Sequence, residues 1–203
     1  MLGDFFVLHD VLSAEECQQY IDFYDSQSKP SLIEGKGKVS DVRRSENSFL
    51  ELNKLQTDPV LLSITQKLTA AFSEVAYNVF RREIKHIENI QYTKYKEGDY
   101  YDWHIDSGHD YASFRDISGT IELSPPEDFE GGELCFFPTE NHSTAKQGTL
   151  IIFPSTMAHK VKPVTSGIRR SLVVWAGIED PSVARWDTRN KNDVQRLLWG
   201  VDK

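Results

Sequence analysis

The chain has 203 residues, with 31 acidic side chains against 23 basic ones and a formal net charge of −8. That length can bury one sizeable core, 39% hydrophobic and 11% aromatic residues exclude wholesale disorder, and the acidic balance argues against nucleic acid or an anionic membrane as the partner. Two cysteines, Cys17 and Cys135, cannot build a disulfide framework or a four-thiolate zinc site and point to a reducing compartment.

The opening Met1-Leu2-Gly3-Asp4-Phe5-Phe6 has no basic region followed by a long hydrophobic one, and no apolar run reaches about 18 residues, so a soluble cytoplasmic protein is expected. Ser13-Ala14-Glu15-Glu16 has the form of a capping box, and Cys17, Tyr20, Ile21 and Tyr24 follow on one helical face. Residues 29–41 read as a polar loop with Pro30, Gly35 and Gly37. Asp58 as N-cap and Pro59 as first helical residue open a second helix running to about Phe80, with Leu61, Ile64, Leu68, Phe72 and Val75 as its buried stripe. Short β-rich runs then take over at 84–95, 100–106, 117–123, 133–137, 149–153, 159–164 and 168–176, separated by Gly, Pro, Asp and Ser. The expected fold is α+β and mainly β, a jelly roll with N-terminal supporting helices. One domain over 1–203 is expected: helical support over about 1–82, a β core over about 83–180 and a tail over 181–203, with a short amphipathic piece around Val194, Leu197, Leu198 and Trp199.

The chemistry is concentrated in Tyr101-Asp102-Trp103-His104-Ile105-Asp106. In a strand, residues two apart share a face, so His104 and Asp106 can reach one metal, and Asp102 is expected on that face too. His159, at the start of a later strand, is the best third ligand. Two histidines and one carboxylate leave open octahedral positions, the arrangement expected for non-haem Fe(II). Arg169, ten residues beyond His159 on the next strand, is placed for a bidentate grip on the far carboxylate of a dicarboxylic acid. Arg169 and Arg170 must face opposite ways, so only one lines the interior.

Several stretches together resemble the prolyl 4-hydroxylase-type branch of the Fe(II)/2-oxoglutarate-dependent dioxygenases. They are the lead-in from Phe6 to Cys17, Val42-Arg43-Arg44-Ser45, the Tyr-x-x-Gly-x-x-Tyr-x-x-His-x-Asp run from Tyr95 to Asp106, Gly131-Gly132-Glu133-Leu134, and His159 followed by Arg169. The resemblance implies a jelly-roll (double-stranded β-helix) dioxygenase in which His104, Asp106 and His159 hold Fe(II). Arg169 and Tyr95 would bind the distal carboxylate of 2-oxoglutarate, O2 would be the other cosubstrate, and ascorbate a reductant. Tyr101, Arg115 and Trp175 are similar to residues that surround a target proline; Tyr101 and Trp175 read equally well as core aromatics.

The implied reaction hydroxylates an unactivated C–H bond and releases succinate and carbon dioxide, with a peptidyl prolyl residue as the leading substrate. Gly177, where some prolyl hydroxylases carry a polar ring, departs from the pattern and leaves a free amino acid or other small molecule as the alternative. A non-catalytic jelly-roll binding protein is the alternative of another class. His109 reads as an exposed loop histidine. Substrate choice is expected to lie in the loops over 33–44, 107–116 and 139–147.

Overall fold

A computed structural model describes residues 5–31, 42–50, 55, 57–138 and 146–181, together with the backbone of 141–143. The two expected helices form as their caps predict. In α1, Ala14–Tyr24, the Glu16 amide donates to Ser13 Oγ at 3.2 Å while the Ser13 amide donates to the Glu16 carboxylate at 2.8 Å. Two amides that lack intrahelical partners are thereby satisfied reciprocally. In α2, Pro59–Asn78, the Asp58 carboxylate accepts from the Val60 and Leu61 amides. Cys17, Tyr20, Ile21 and Tyr24 on α1 and Leu61, Ile64, Leu68, Phe72 and Val75 on α2 are all buried. Tyr20 Oη lies 2.6 Å from Thr65 Oγ1 where the two helices meet.

The strands, in chain order, are β1 (Phe6–Leu8), β2 (Lys29–Pro30), β3 (Arg43–Arg44), β4 (Glu46–Phe49), β5 (His86–Ile87), β6 (Gln91–Lys96) and β7 (Tyr100–His104). They continue with β8 (Ile117–Glu122), β9 (Phe129–Gly131), β10 (Leu134–Phe136), β11 (Asn141–Ser143), β12 (Leu150–Pro154), β13 (His159–Val161) and β14 (Val164–Gly177). The larger sheet runs β1-β12-β8-β14-β6-β4-β2, with β5 and β9 also paired to β14; the smaller runs β11-β10-β13-β7-β3. Every pairing is antiparallel. The expected jelly roll with helical support is the fold observed.

Strand alternation divides the core in two. Ile117, Ile121, Leu150, Ile152, Leu172 and Val174 face the helices and share one cluster with Leu68 and Phe72. The opposite faces of β6, β12 and β14, with β10 and β13, enclose a second cluster containing Tyr95, Ile151, Phe153, Leu134, Phe136 and Val161. The same alternation separates the arginine pair: Arg170 Nε donates to Asp25 Oδ1 at 2.8 Å on the helix side, while Arg169 lies inside.

Some boundaries differ from the sequence reading. The runs 159–164 and 168–176 become a three-residue β13 and a fourteen-residue β14. β14 starts early because Gly167, at φ 76°, and a register shift between Val164 and Ser166 let the strand bend without ending. The loop over 107–116 contains a 3-10 turn, Asp110–Phe114. The tail beyond Pro181 and most of the 33–44 loop lie outside the described residues. Among the described residues, no helix is long and apolar enough to cross a membrane.

Candidate active site

β7 does not alternate simply. His159 on β13 pairs with His104, but Val161 pairs with Tyr101, so three steps along β7 oppose two along β13. This β-bulge places Tyr101 and His104 side by side, with stacked rings at a centroid distance of 3.5 Å. It also overturns the expectation for Asp102, whose exposed side chain accepts from the Trp103 amide at 2.7 Å. Asp106 lies just past the strand, anchored by its amide donating to Ser155 O at 2.9 Å.

His104, Asp106 and His159 converge, with ligand atoms all within 4.8 Å of one another. His104 Nε2 is 3.8 Å from Asp106 Oδ1, and His159 Nε2 is 3.6 Å from Asp106 Oδ2. An ion with bonds of roughly 2.0–2.2 Å can bridge such gaps. His104 Nδ1 lies 2.8 Å from Asp102 O and His159 Nδ1 2.9 Å from Met157 O. A carbonyl oxygen only accepts, so each Nδ1 carries the hydrogen and each Nε2 presents a lone pair. Burial pushes the His104 imidazolium down to about 4, and repulsion from His159 adds to it. The imidazole is therefore neutral near pH 7, the form a metal needs. Two imidazoles and one carboxylate form a donor set that fits Fe(II), with Tyr101 and Phe153 rings walling the histidines.

Arg169 on β14 is directly paired in register with Tyr95 on β6, with its guanidinium 5.7 Å from the ring centre. It is only 4% exposed. Gly132, at φ 68°, lets the chain pass against it: a Cβ there would lie 3.0 Å from Arg169 Cδ and 2.9 Å from Val164 Cγ2. Arg169 Nε donates at 2.8 Å to Glu122 Oε2, a carboxylate the sequence reading missed. Desolvation by burial raises the Glu122 carboxyl above its ordinary value, and Arg169 only partly offsets this. Burial likewise pushes the Tyr95 phenol up, keeping its proton available for donation.

Tyr101, Arg115 and Trp175 border the same site. Arg115 grips Glu88 through Nε and Nη2, both at 2.7 Å, reaches Asp106 O with Nη1 at 3.4 Å, and lies 4.0 Å over the Trp175 ring. The Trp175 indole Nε1 is buried without a hydrogen-bond partner. Arg43 lies 4.8 Å over the Tyr101 ring, a position fixed by the β3–β7 pairing of these two residues. Glu88 and Arg43 were not singled out as site residues in the sequence. Pairing across strands brings them in, and the available signal was charge in otherwise β-like runs. His109 is exposed and outside the cluster. Gly177 has no room for a ring, because a Cβ there would lie 2.1 Å from Phe114 O.

Residues 90–177 match the 2OG-Fe(II) oxygenase superfamily, a span that holds His104, Asp106, His159 and Arg169 in order. The curated proteins similar to this chain are PKHD-type hydroxylases, and the solved structures it resembles include prolyl hydroxylases. A PKHD-type hydroxylase of Prochlorococcus marinus strain MIT 9303 is 32% identical over 132 residues, covering 64% of this chain and 52% of that relative. One from Aliarcobacter butzleri is 29% identical, covering 83% of this chain and 77% of the relative. The chain spans about half the length of the first curated relatives it matches, 52% and 43% in two of them. The viral collagen prolyl hydroxylase of Paramecium Bursaria Chlorella virus-1, solved as a 2OG complex, superposes with a TM-score of 0.65 at 24% identity, covering 85% of this chain and 94% of that one. A Trichoplax adhaerens prolyl hydroxylase, solved with a hypoxia inducible factor peptide fragment, gives a TM-score of 0.69 at 19% identity, covering 85% and 83%. At these identities the superpositions establish the fold. The superfamily whose model matches residues 90–177 is one of Fe(II) and 2-oxoglutarate enzymes by its description.

Proposed function

We propose that this chain is an Fe(II)- and 2-oxoglutarate-dependent hydroxylase of an unactivated C–H bond in a peptidyl residue, prolyl by kinship, acting as one domain over 1–203 in a reducing cytoplasm. The observation that carries the reading is the convergence of His104, Asp106 and His159 on one point, with Arg169 buried on β14 of the other sheet beside Tyr95. Bound iron supplies the activation of O2 that protein side chains cannot perform. His104 and His159 present unprotonated Nε2 atoms to it and Asp106 supplies charge. Three protein ligands would hold the ion and leave room for the cosubstrate and O2. Arg169 and Tyr95 hold the distal carboxylate of 2-oxoglutarate by a charge-assisted contact and a phenol hydrogen bond. Tyr101, Arg115 and Trp175 form the wall against which the target residue lies, and fix which C–H bond faces the metal. Succinate and carbon dioxide leave with the hydroxylated product, and ascorbate serves as reductant.

The peptide named in the Trichoplax structure and the prolyl hydroxylases among the neighbours support a peptidyl substrate. Incubation with Fe(II), labelled 2-oxoglutarate and a panel of proline-containing peptides should give peptide-dependent succinate and a product heavier by one oxygen. Turnover on a free amino acid or other small molecule, with no response to any peptide, would replace the peptidyl reading. Absence of bound metal and of 2-oxoglutarate in the purified and reconstituted protein would leave a jelly-roll binding protein instead.

A further inference from the structure

The buried Arg169–Glu122 pair has a chemical consequence for the cosubstrate. Arg169 brings one positive charge to the interior, and Glu122, 3% exposed, already neutralises it. Glu122 uses Oε2 for this contact; its Oε1 is buried and has no hydrogen-bond partner. An unsatisfied buried carboxylate oxygen is costly, and it lies beside the guanidinium that the proposed function assigns to the distal carboxylate of a dicarboxylic acid. When that carboxylate arrives, two anions share one cation in a site with little water to screen them. Carboxylates in such proximity do not both remain ionised; one takes a proton.

We infer that Glu122 is a second cosubstrate-binding residue, which takes up one proton from solvent as 2-oxoglutarate binds and donates it in a hydrogen bond from Oε1 to the distal carboxylate. The inference rests on the cosubstrate reading of Arg169. The groups that face Glu122 are Arg169 on β14, its register partner Ser171, the Ser124 amide, and Cys17 on α1. Burial pushes the Cys17 thiol up to about 12, so it stays neutral throughout the relevant range. Burial likewise raises the Glu122 carboxyl before any ligand arrives, which makes Glu122 the group that accepts the proton. Both carboxylates of 2-oxoglutarate remain ionised above about pH 5. The sign follows: the bound state holds the extra proton, so affinity is greatest at low pH and falls as pH rises through the bound-state value of Glu122. The slope approaches tenfold in Kd per pH unit for one proton.

The test is calorimetric titration of 2-oxoglutarate into Mn(II)-saturated protein between about pH 6.5 and 8.5, in two buffers of different ionisation enthalpy. Wild type should take up close to one proton per ligand and bind more weakly as pH rises. Glu122→Gln, which presents a neutral amide donor, should bind with no proton uptake and more tightly than wild type at the upper pH. Binding to wild type without proton uptake would overturn the inference and leave the cosubstrate site standing; this result needs no variant to fold. Weaker binding by a folded Glu122→Gln with an unchanged pH slope would also overturn it, reducing Glu122 to an anchor for Arg169. No binding to wild type at any pH would overturn the cosubstrate reading itself.

Discussion

Arg115 shows how a residue beside the proposed metal ligands acts through its neighbours. Its bidentate hold on Glu88, its contact with Asp106 O and its stack on Trp175 tie the loop after β7 to β14. Arg115→Met keeps bulk but loses these bonds and should weaken Mn(II) binding about tenfold, the usual cost of removing a contact that orients a ligand. Equilibrium dialysis of folded variant against wild type checks it. Gly132→Ala should weaken 2-oxoglutarate binding several-fold with metal affinity unchanged, because its Cβ would press on Arg169 and Val164, far more closely than real side chains pack. Sequence made the metal-site candidates legible because a short His-x-Asp run and a distant histidine are local signals. Glu122, Glu88 and Arg43 were not, because each enters through pairing between strands distant in sequence, and Asp102 was misplaced because nothing in the run announces the β7 bulge.

At the level of elements, the helices were readable almost to the residue, since capping residues and a 3.6-residue apolar stripe act locally. The strands were readable in place but not in extent: β14 runs through Gly167 because β9 pairs with it from Val164 to Gly167, before β6 and β8 take over from Ile168 on. Phe72, fully buried on α2, packs against Gly119 of β8, and Phe72→Ala should cost about 3–5 kcal/mol, read as a lower urea midpoint at unchanged slope. The end of α1 is fastened to the large sheet by Asp25, which accepts from Arg170, Lys94 and Tyr92. Burial alone would raise the Asp25 carboxyl, but these hydrogen bonds outweigh it and hold the group below its ordinary value. The carboxylate therefore stabilises the fold fully above the unfolded value near 3.9, and that contribution is lost as pH falls through the lower folded value. Asp25→Asn should lower stability at pH 7 by about 1–3 kcal/mol, with the gap to wild type closing in acid denaturation below about pH 4.

Across the whole molecule, the helices and both sheets hold the proposed metal ligands in place, so ligands that occupy that site should stabilise the fold. Mn(II) alone at about one hundred times its Kd contributes roughly 2.7 kcal/mol, or some 5–10 °C in Tm for a domain of this size, and 2-oxoglutarate adds to it. A chelator should reverse the shift. On the proposed function, the net charge of −8 is expected to favour neutral or basic peptides over nucleic acid. The central claim is that His104, Asp106 and His159 hold the metal on which 2-oxoglutarate binds. Its most direct test is the binding of 2-oxoglutarate with and without Mn(II) to wild type and to His159→Ala. The account predicts metal-dependent binding to wild type and none to the variant; equal binding by both proteins, or binding to wild type that ignores the metal, would contradict it.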